Sequence, residues 1–595
     1  MDRRSPLCLI ALGLSLFATP VQADEPAPKT VAHIRLAGGL NEAPLAADPL
    51  FGATTENFKS KLDRIRKAQK DDNVHALLLQ IDELHIGWGK LDELSRALAD
   101  FRAAGKKAFA FLESGSTKDY LLALACDEVA VPEPGWIMLT GLRAEVTFFK
   151  DLFDKIGVKA DMLQMGDFKA AAEPFTRSSM SEPAKKQLTA VLDDYFDKSI
   201  VERIVKARAK QKFAPEQVKK LIDQGPFSAR GALQAGLIDQ VAYNDGYQDK
   251  IKLALKAGAL KVVKNYAQNK MEEIDFSNPF AVFMLFASPK SKGSLLPKVA
   301  VIHAIGTITA GRSTESFLGE DTCGARTIIE AIRQAEGDKT VKAIVLRVDS
   351  PGGSVLGSDL MWNELKRCKK PVIASMSDVA ASGGYYLSMA ARKIYAAPGT
   401  LTGSIGVVGG KLAIGGVYDK IGLKTEVIQR GANAGIFSSK DPFTPSERVA
   451  MTALMKDIYE QFLTKVLEGR KVAGKPMDRA RLETLAGGRI WTGRQALANG
   501  LIDELGTLQD AIAASWKLAN MPVDREPELL ILPKPRSFFD ALIEGKLDSR
   551  VPASAELRLL RELSELARPL GSAASLLQLR GEPVWLIAPY RVEVR

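Results

Sequence analysis

The chain repeats itself over a long period. Ala229-Arg230-Gly231-Ala232-Leu233, then Gly236-Leu237-Ile238-Asp239, returns as Gly493-Arg494-Gln495-Ala496-Leu497, then Gly500-Leu501-Ile502-Asp503. Lys155-Ile156-Gly157-Val158-Lys159 returns as Lys420-Ile421-Gly422-Leu423-Lys424, and Pro134-Gly135 with Leu139-Thr140-Gly141 returns as Pro398-Gly399 with Leu401-Thr402-Gly403. The echoes lie about 265 residues apart, a period that means tandem domains rather than a solenoid. One α/β unit is therefore expected twice, over 30–276 and 298–520, joined by a linker at 277–297 and followed by an extension at 521–595. The linker carries the apolar run Phe280 to Phe286, read either as packed core or as an exposed surface for partners.

The stretch Val341 to Gly406 shows how each unit is built. The apolar run Ala343 to Val348 breaks at Asp349-Ser350-Pro351-Gly352-Gly353 and resumes with helical periodicity at Val355, the pattern of strand, glycine turn and helix. The pattern recurs with a strand from Val372 to Met376, a small-residue turn and a helix near Ala380, and a third piece ends in Gly403-Ser404-Ile405-Gly406. Strand–turn–helix units in series predict a parallel sheet with its site at the strand ends. Adjacent glycines let backbone N–H groups approach a ligand closely, so Gly352 and Gly353 are candidates for the oxyanion hole that acyl-transfer chemistry needs.

Three ordered motifs, DSPGGSV, ASGGYYLSMAA and LTGSIG, resemble the signal peptide peptidase A family, and the likeness runs over most of the chain, roughly Val31 to Ser515. The resemblance implies a serine peptidase with a Ser–Lys dyad in its long, duplicated form. It also implies two tandem Clp/crotonase-like (ββα superhelix) α/β domains and a homotetramer; no metal-ligating constellation stands in the sequence, and no cofactor is expected. The two halves differ where chemistry is expected. The first half's counterpart of the paired-glycine turn, from Asp82 through Gly87, lacks the two glycines, and Leu142 stands where the second half has Ser404. Conversely, Lys169 in Phe168-Lys169-Ala170-Ala171-Ala172-Glu173-Pro174-Phe175, which resembles the family's lysine motif, aligns roughly with Ala434. By the resemblance Ser404 is the nucleophile and Lys169 the general base, and the complementary losses agree. A serine between glycines is more often a turn residue, and an isolated lysine is usually a solvated surface group. Ser382 in the ASGG turn is the rival nucleophile, and Ser116 falls near its aligned position in the first half.

Arg3 and Arg4, the apolar stretch Leu7 to Ala18 and the small-residue end at Ala23 read as a secretory signal over 1–23. That apolar stretch is short of the ~20 residues a span needs, and an uncleaved anchor is the alternative. The expected location is extracytoplasmic (periplasmic), soluble or tethered to the inner membrane. The excess of 81 basic over 71 acidic residues is scattered. It reads as solvated surface without a nucleic-acid footprint, compatible with weak attraction to an anionic membrane. Cys126, Cys323 and Cys368 have no zinc spacing, and none of the four histidines, His33, His75, His85 and His303, lies in the second half's motif region, which disfavours a Ser–His–Asp triad. Long helices are expected over Ala184 to Lys210 and Pro445 to Gly469, a last strand at Leu529 to Leu532, an amphipathic helix over Ala555 to Leu570, and a short apolar end at Trp585 to Tyr590 that docks back. The sum is an exported endopeptidase acting on apolar peptides such as signal-peptide remnants. The rivals are a crotonase-type acyl-transfer enzyme and a catalytically inactive membrane-associated scaffold.

Overall fold

A computed structural model describes residues 28–43, 56–268, 294–314, 322–534 and 584–588. The expected signal segment, the run Phe280 to Phe286 and the helix over Ala555 to Leu570 lie outside the described residues.

Each half is built on a parallel sheet. In the first, strands follow the order Leu260–Val263, Lys29–Gly39, Val74–His85, Lys107–Leu112, Glu128–Val131, Gln240–Val241. In the second, the order Glu528–Leu532, Lys298–Ile305, Val341–Ser350, Val372–Ala381, Lys393–Ala396, Glu504–Leu505 repeats it, again parallel throughout. The duplication read from short echoes is thus a duplication of topology. Strands such as Val341–Ser350 are almost wholly buried, as expected where helices cover both faces of a parallel sheet, and that is why they appear as continuous apolar runs rather than alternating ones. The helix Val355–Arg367 starts where the periodicity predicted, capped by Ser354. The long helix of the second half spans Pro445–Val472. Its first-half counterpart is one α-helix, Glu182–Asp194, continued by a π-helical turn, Tyr195–Val201, and by Glu202–Ala207.

Two features join the halves. Arg347, with no exposed surface, pairs with Glu42 and Glu93 of the first half at 2.5 and 2.7 Å. Beside it Lys90 bridges Asp349 and Asp378 at 2.8 and 2.7 Å. Burial works against a charge on Glu42, yet the Arg347 and Lys90 cations outweigh it and hold its carboxyl at about 2. Removing one partner of such a cluster strands a buried charge, so the halves are fastened by groups that must stay together. The second joint is a sheet. Lys159–Met165 of the first half pairs antiparallel with Val407–Ala413 of the second, from Met165 opposite Val407 to Lys159 opposite Ala413. This strand carries the first half's lysine to the second half's serines.

Candidate active site

Directly beyond Met165 the chain turns at Gly166, at φ +103°, and three residues later presents Lys169. The loop is seated by backbone contacts on Gly487 to Arg489. Phe168 N–H donates to the Gly487 carbonyl at 2.9 Å, and the Arg489 guanidinium lies 3.8 Å from the Phe168 ring centroid. Gly488, at φ +87°, lies so close that a Cβ there would stand 2.4 Å from Lys169 N and 2.5 Å from its Cα. Lys169 thereby loses all exposure. Its Nζ lies 2.7 Å from Ser382 Oγ, 2.9 Å from Ser404 Oγ and 3.0 Å from the Ser404 carbonyl oxygen. Burial pulls its pKa well below the ordinary lysine value, because a low-dielectric site disfavours the ammonium.

Both serines come from strand ends of the second half. Ser404 follows Leu401–Gly403 at φ +52°, and its N–H donates to the Arg489 carbonyl at 2.6 Å. Ser382 ends the strand Val372–Ala381 at φ +54° and ψ −111° and opens the helix Gly383–Ser388. A non-glycine residue held there is strained, and such strain gathers at functional sites. In the first half, Ser116 caps Thr117–Ala123 at an ordinary φ of −64°, and Leu142 takes the place of Ser404. Sequence reasoning named Lys169, Ser404 and the rival Ser382, and all three meet within one chain.

The two glycines of the turn, both candidates for the oxyanion hole, differ in their surroundings. Gly352 N–H donates to Ser350 Oγ at 3.1 Å, which occupies it. What Gly352 contributes is space, since at φ +101° a Cβ on it would stand 2.7 Å from Gly383 N. Gly353, at φ +150°, lies in the strand Gly352–Ser354. The Gly383 amide follows Ser382 directly at the start of the helix, and the glycine turn packs against it at Gly352. Gly383 carried its signal in the ASGG motif, whereas Gly488 and Gly487 are one glycine pair among many in the sequence and gave none. Cys126, Cys323 and Cys368 are free thiols. Among the described residues no helix is long and apolar enough to cross a membrane.

Catalytic-type side chains at the strand ends of a duplicated α/β fold define, as a class, a serine protease. The particular family follows from comparison. The model of Peptidase family S49 matches residues 100–258 and 364–522, one stretch in each half, and the chain belongs to that family. A Clp protease model matches residues 318–401. The chain is 34% identical to the chloroplastic serine protease SPPA of Arabidopsis thaliana, covering 84% of this chain and 71% of that protein. It is 31% identical to Protease 4 of Salmonella typhi, covering 79% and 74%. A solved structure of a membrane-bound stomatin-specific protease, 1510-N, matches at 16% identity and a TM-score of 0.25 over 40% of this chain and 98% of that one.

Proposed function

We propose that this chain hydrolyses extended apolar peptides with Ser382 as nucleophile, Lys169 as general base and Ser404 as the residue that positions the lysine. The observation that carries the reading is the fully buried Lys169 amine 2.7 Å from Ser382 Oγ. The resemblance to the peptidase family points to Ser404 for the attack, but the geometry favours the reverse order. Both serines hold a positive φ, but the Ser382 hydroxyl makes the shorter contact with the lysine, 2.7 against 2.9 Å, and the Gly383 amide follows Ser382 directly at the start of a helix. Ser404 instead grips the amine twice, through its hydroxyl and its carbonyl, as a holder would.

The neutral Lys169 amine accepts the Ser382 hydroxyl proton as Oγ attacks the peptide carbonyl carbon. The Gly353 and Gly383 amides receive the oxyanion. Collapse breaks the C–N bond, and the departing amine takes the proton from the lysine ammonium. Water then gives a proton to Lys169 as its oxygen adds to the acyl carbon, the C–Oγ bond breaks to release the carboxylic acid, and Ser382 Oγ takes the proton back from the lysine ammonium, which restores both side chains. The first half supplies the base and the second the nucleophile, so neither half cleaves alone. The natural substrates in this reading are apolar peptides such as signal-peptide remnants, met outside the cytoplasm at or near a membrane, by an oligomer that screens out folded proteins.

Labelling with a serine-reactive phosphonate, followed by peptide mapping, tests the assignment. Label is expected on Ser382. Ser382→Ala should lose both label and hydrolysis, while Ser404→Ala should keep the label and lose about 10²-fold in kcat, in the range for disturbing a proton-transfer group. Label on Ser404, with Ser382→Ala active, would return the nucleophile to Ser404.

A further inference from the structure

One strand at this site has no part in holding the lysine or the serines. Val584–Ile587 lies between Gly352–Ser354 and Val407–Ala413 and runs antiparallel to both. Gly352 stands opposite Ile587 and Gly353 opposite Leu586 on one side, and Val408 stands opposite Trp585 on the other. This is how an extended peptide adds to a sheet: main-chain hydrogen bonds hold it, and alternate side chains enter pockets. Val584 and Leu586 turn into the second half's core, Leu586 without any exposed surface, while Trp585 and Ile587 turn the other way against Ala172 and Val408.

The position of one carbonyl is more telling than the packing. Ala588 N–H donates to the Pro351 carbonyl at 2.8 Å. Every second pair of an antiparallel ladder exchanges hydrogen bonds, so the Gly353 amide faces the Leu586 carbonyl. A Cβ on Gly352 would stand 1.9 Å from that same oxygen and 2.7 Å from Gly383 N. The Leu586 carbonyl therefore points into the space between the amides assigned above to the oxyanion. The buried Trp585 indole N–H has no partner among the described residues, so the strand is held by its main chain and by apolar packing.

We propose that residues 584–588 are a resident ligand of the peptide cleft, a pseudosubstrate carried by the chain itself that competes with incoming peptides. Its side chains describe the preferred substrate: a leucine-sized apolar residue at the attacked carbonyl, an apolar residue two positions before it, and large apolar residues directly before and directly after the attacked carbonyl, facing Ala172. A tethered ligand acts at an effective concentration in the mM range, so free peptides of similar affinity compete poorly until the segment leaves. The inference rests on the peptidase reading above.

Locking the segment in place tests it. Val584 and Gly409 stand directly opposite each other, and opposite residues of an antiparallel pair lie about 4.5–5.5 Å apart at Cα, within disulfide range. In the full chain with Val584→Cys and Gly409→Cys, the disulfide should form. Hydrolysis of an apolar reporter peptide should then fall at least about tenfold and return with reductant. Failure of the bond to form, or undiminished hydrolysis once it has formed, would overturn the proposal. In a second full-chain variant, Leu586→Asp, a carboxylate in the apolar pocket should expel the segment and lower KM at least about fivefold; an unchanged or raised KM counts against it. Ser382→Ala and Lys169→Met controls separate the two levels. If they still hydrolyse the reporter, the peptidase reading falls and takes this one with it. If they are dead while the disulfide and KM results fail, only the resident ligand is lost.

Discussion

A lysine amine without exposed surface and with two serine hydroxyls within 3 Å is costly to a fold and useful to a catalyst. In the unfolded chain lysine titrates near 10.4, whereas burial holds Lys169 well below the ordinary value in the folded one. Between those two values the unfolded state binds more protons, so stability rises with pH across that window. In the proposed mechanism the base is the neutral amine, so activity should climb with pH through the depressed value and not through the ordinary one. Lys169→Met removes the titration and keeps the bulk. It should cut kcat/KM by about 10³-fold or more, match or exceed the parent's Tm at pH 7, and flatten the dependence of Tm on pH. Calorimetry beside hydrolysis assays checks both halves of this expectation. A lower Tm with a preserved pH–rate profile would show that Lys169 is structural.

At the scale of elements, the site is a meeting of one strand and two turns. Lys159–Met165 aims the loop, and Gly487 to Arg489 receives it. Gly488 is where this meeting is tightest: its φ is +87°, and the atoms an added Cβ would strike are backbone atoms of Lys169. Gly488→Ala should push the lysine by a fraction of an ångström to an ångström and lower kcat by about 10²-fold with a small loss of Tm. Steady-state kinetics and a melting curve distinguish this from unfolding. Much of the arrangement was legible in the sequence. The repeats, the buried strands and the glycine turn all carry local patterns, and the loss of serine in one half and lysine in the other named Lys169 and Ser404. The proposed order of the two serines was not legible, because both follow a small residue at a turn and what separates them is spatial, the shorter approach of Ser382 Oγ to the lysine and the helix that starts directly behind it. Gly488 was equally silent, since a glycine pair shows its purpose only through the neighbour that presses on it. The apolar end at Trp585 to Tyr590 was read as docking back. Its seat between two strands of the cleft depended on pairing across more than 170 residues, which no local pattern encodes.

The whole molecule inherits an asymmetry from its duplication. The joint between Lys159–Met165 and Val407–Ala413 uses the first half's donor strand and the second half's acceptor strand. About 265 residues on or back, each has a counterpart left over. Residues 424–430 are exposed throughout and pair with no strand, and residues 142–148 alternate half-buried and exposed in the same unpaired way. The free donor segment is also apolar at its surface, with Val427 58% and Ile428 90% exposed. Between copies, one chain's 424–430 would pair with the next chain's 142–148, repeating between chains the joint made within one. Such a head-to-tail contact closes into a ring if the rotation per copy allows it, and a ring would enclose the serine–lysine sites. Light scattering at micromolar concentration should give a mass that is a multiple of the chain's. Val427→Pro combined with Ile428→Asp removes a ladder N–H and places a charge on the contact, so the mass should fall to that of one chain. The separated chains should keep cleaving short peptides, because Lys169 and both serines belong to one chain, but should lose discrimination against folded proteins. A parent protein that is already a single chain at that concentration, with full selectivity for unfolded peptides, would refute the ring.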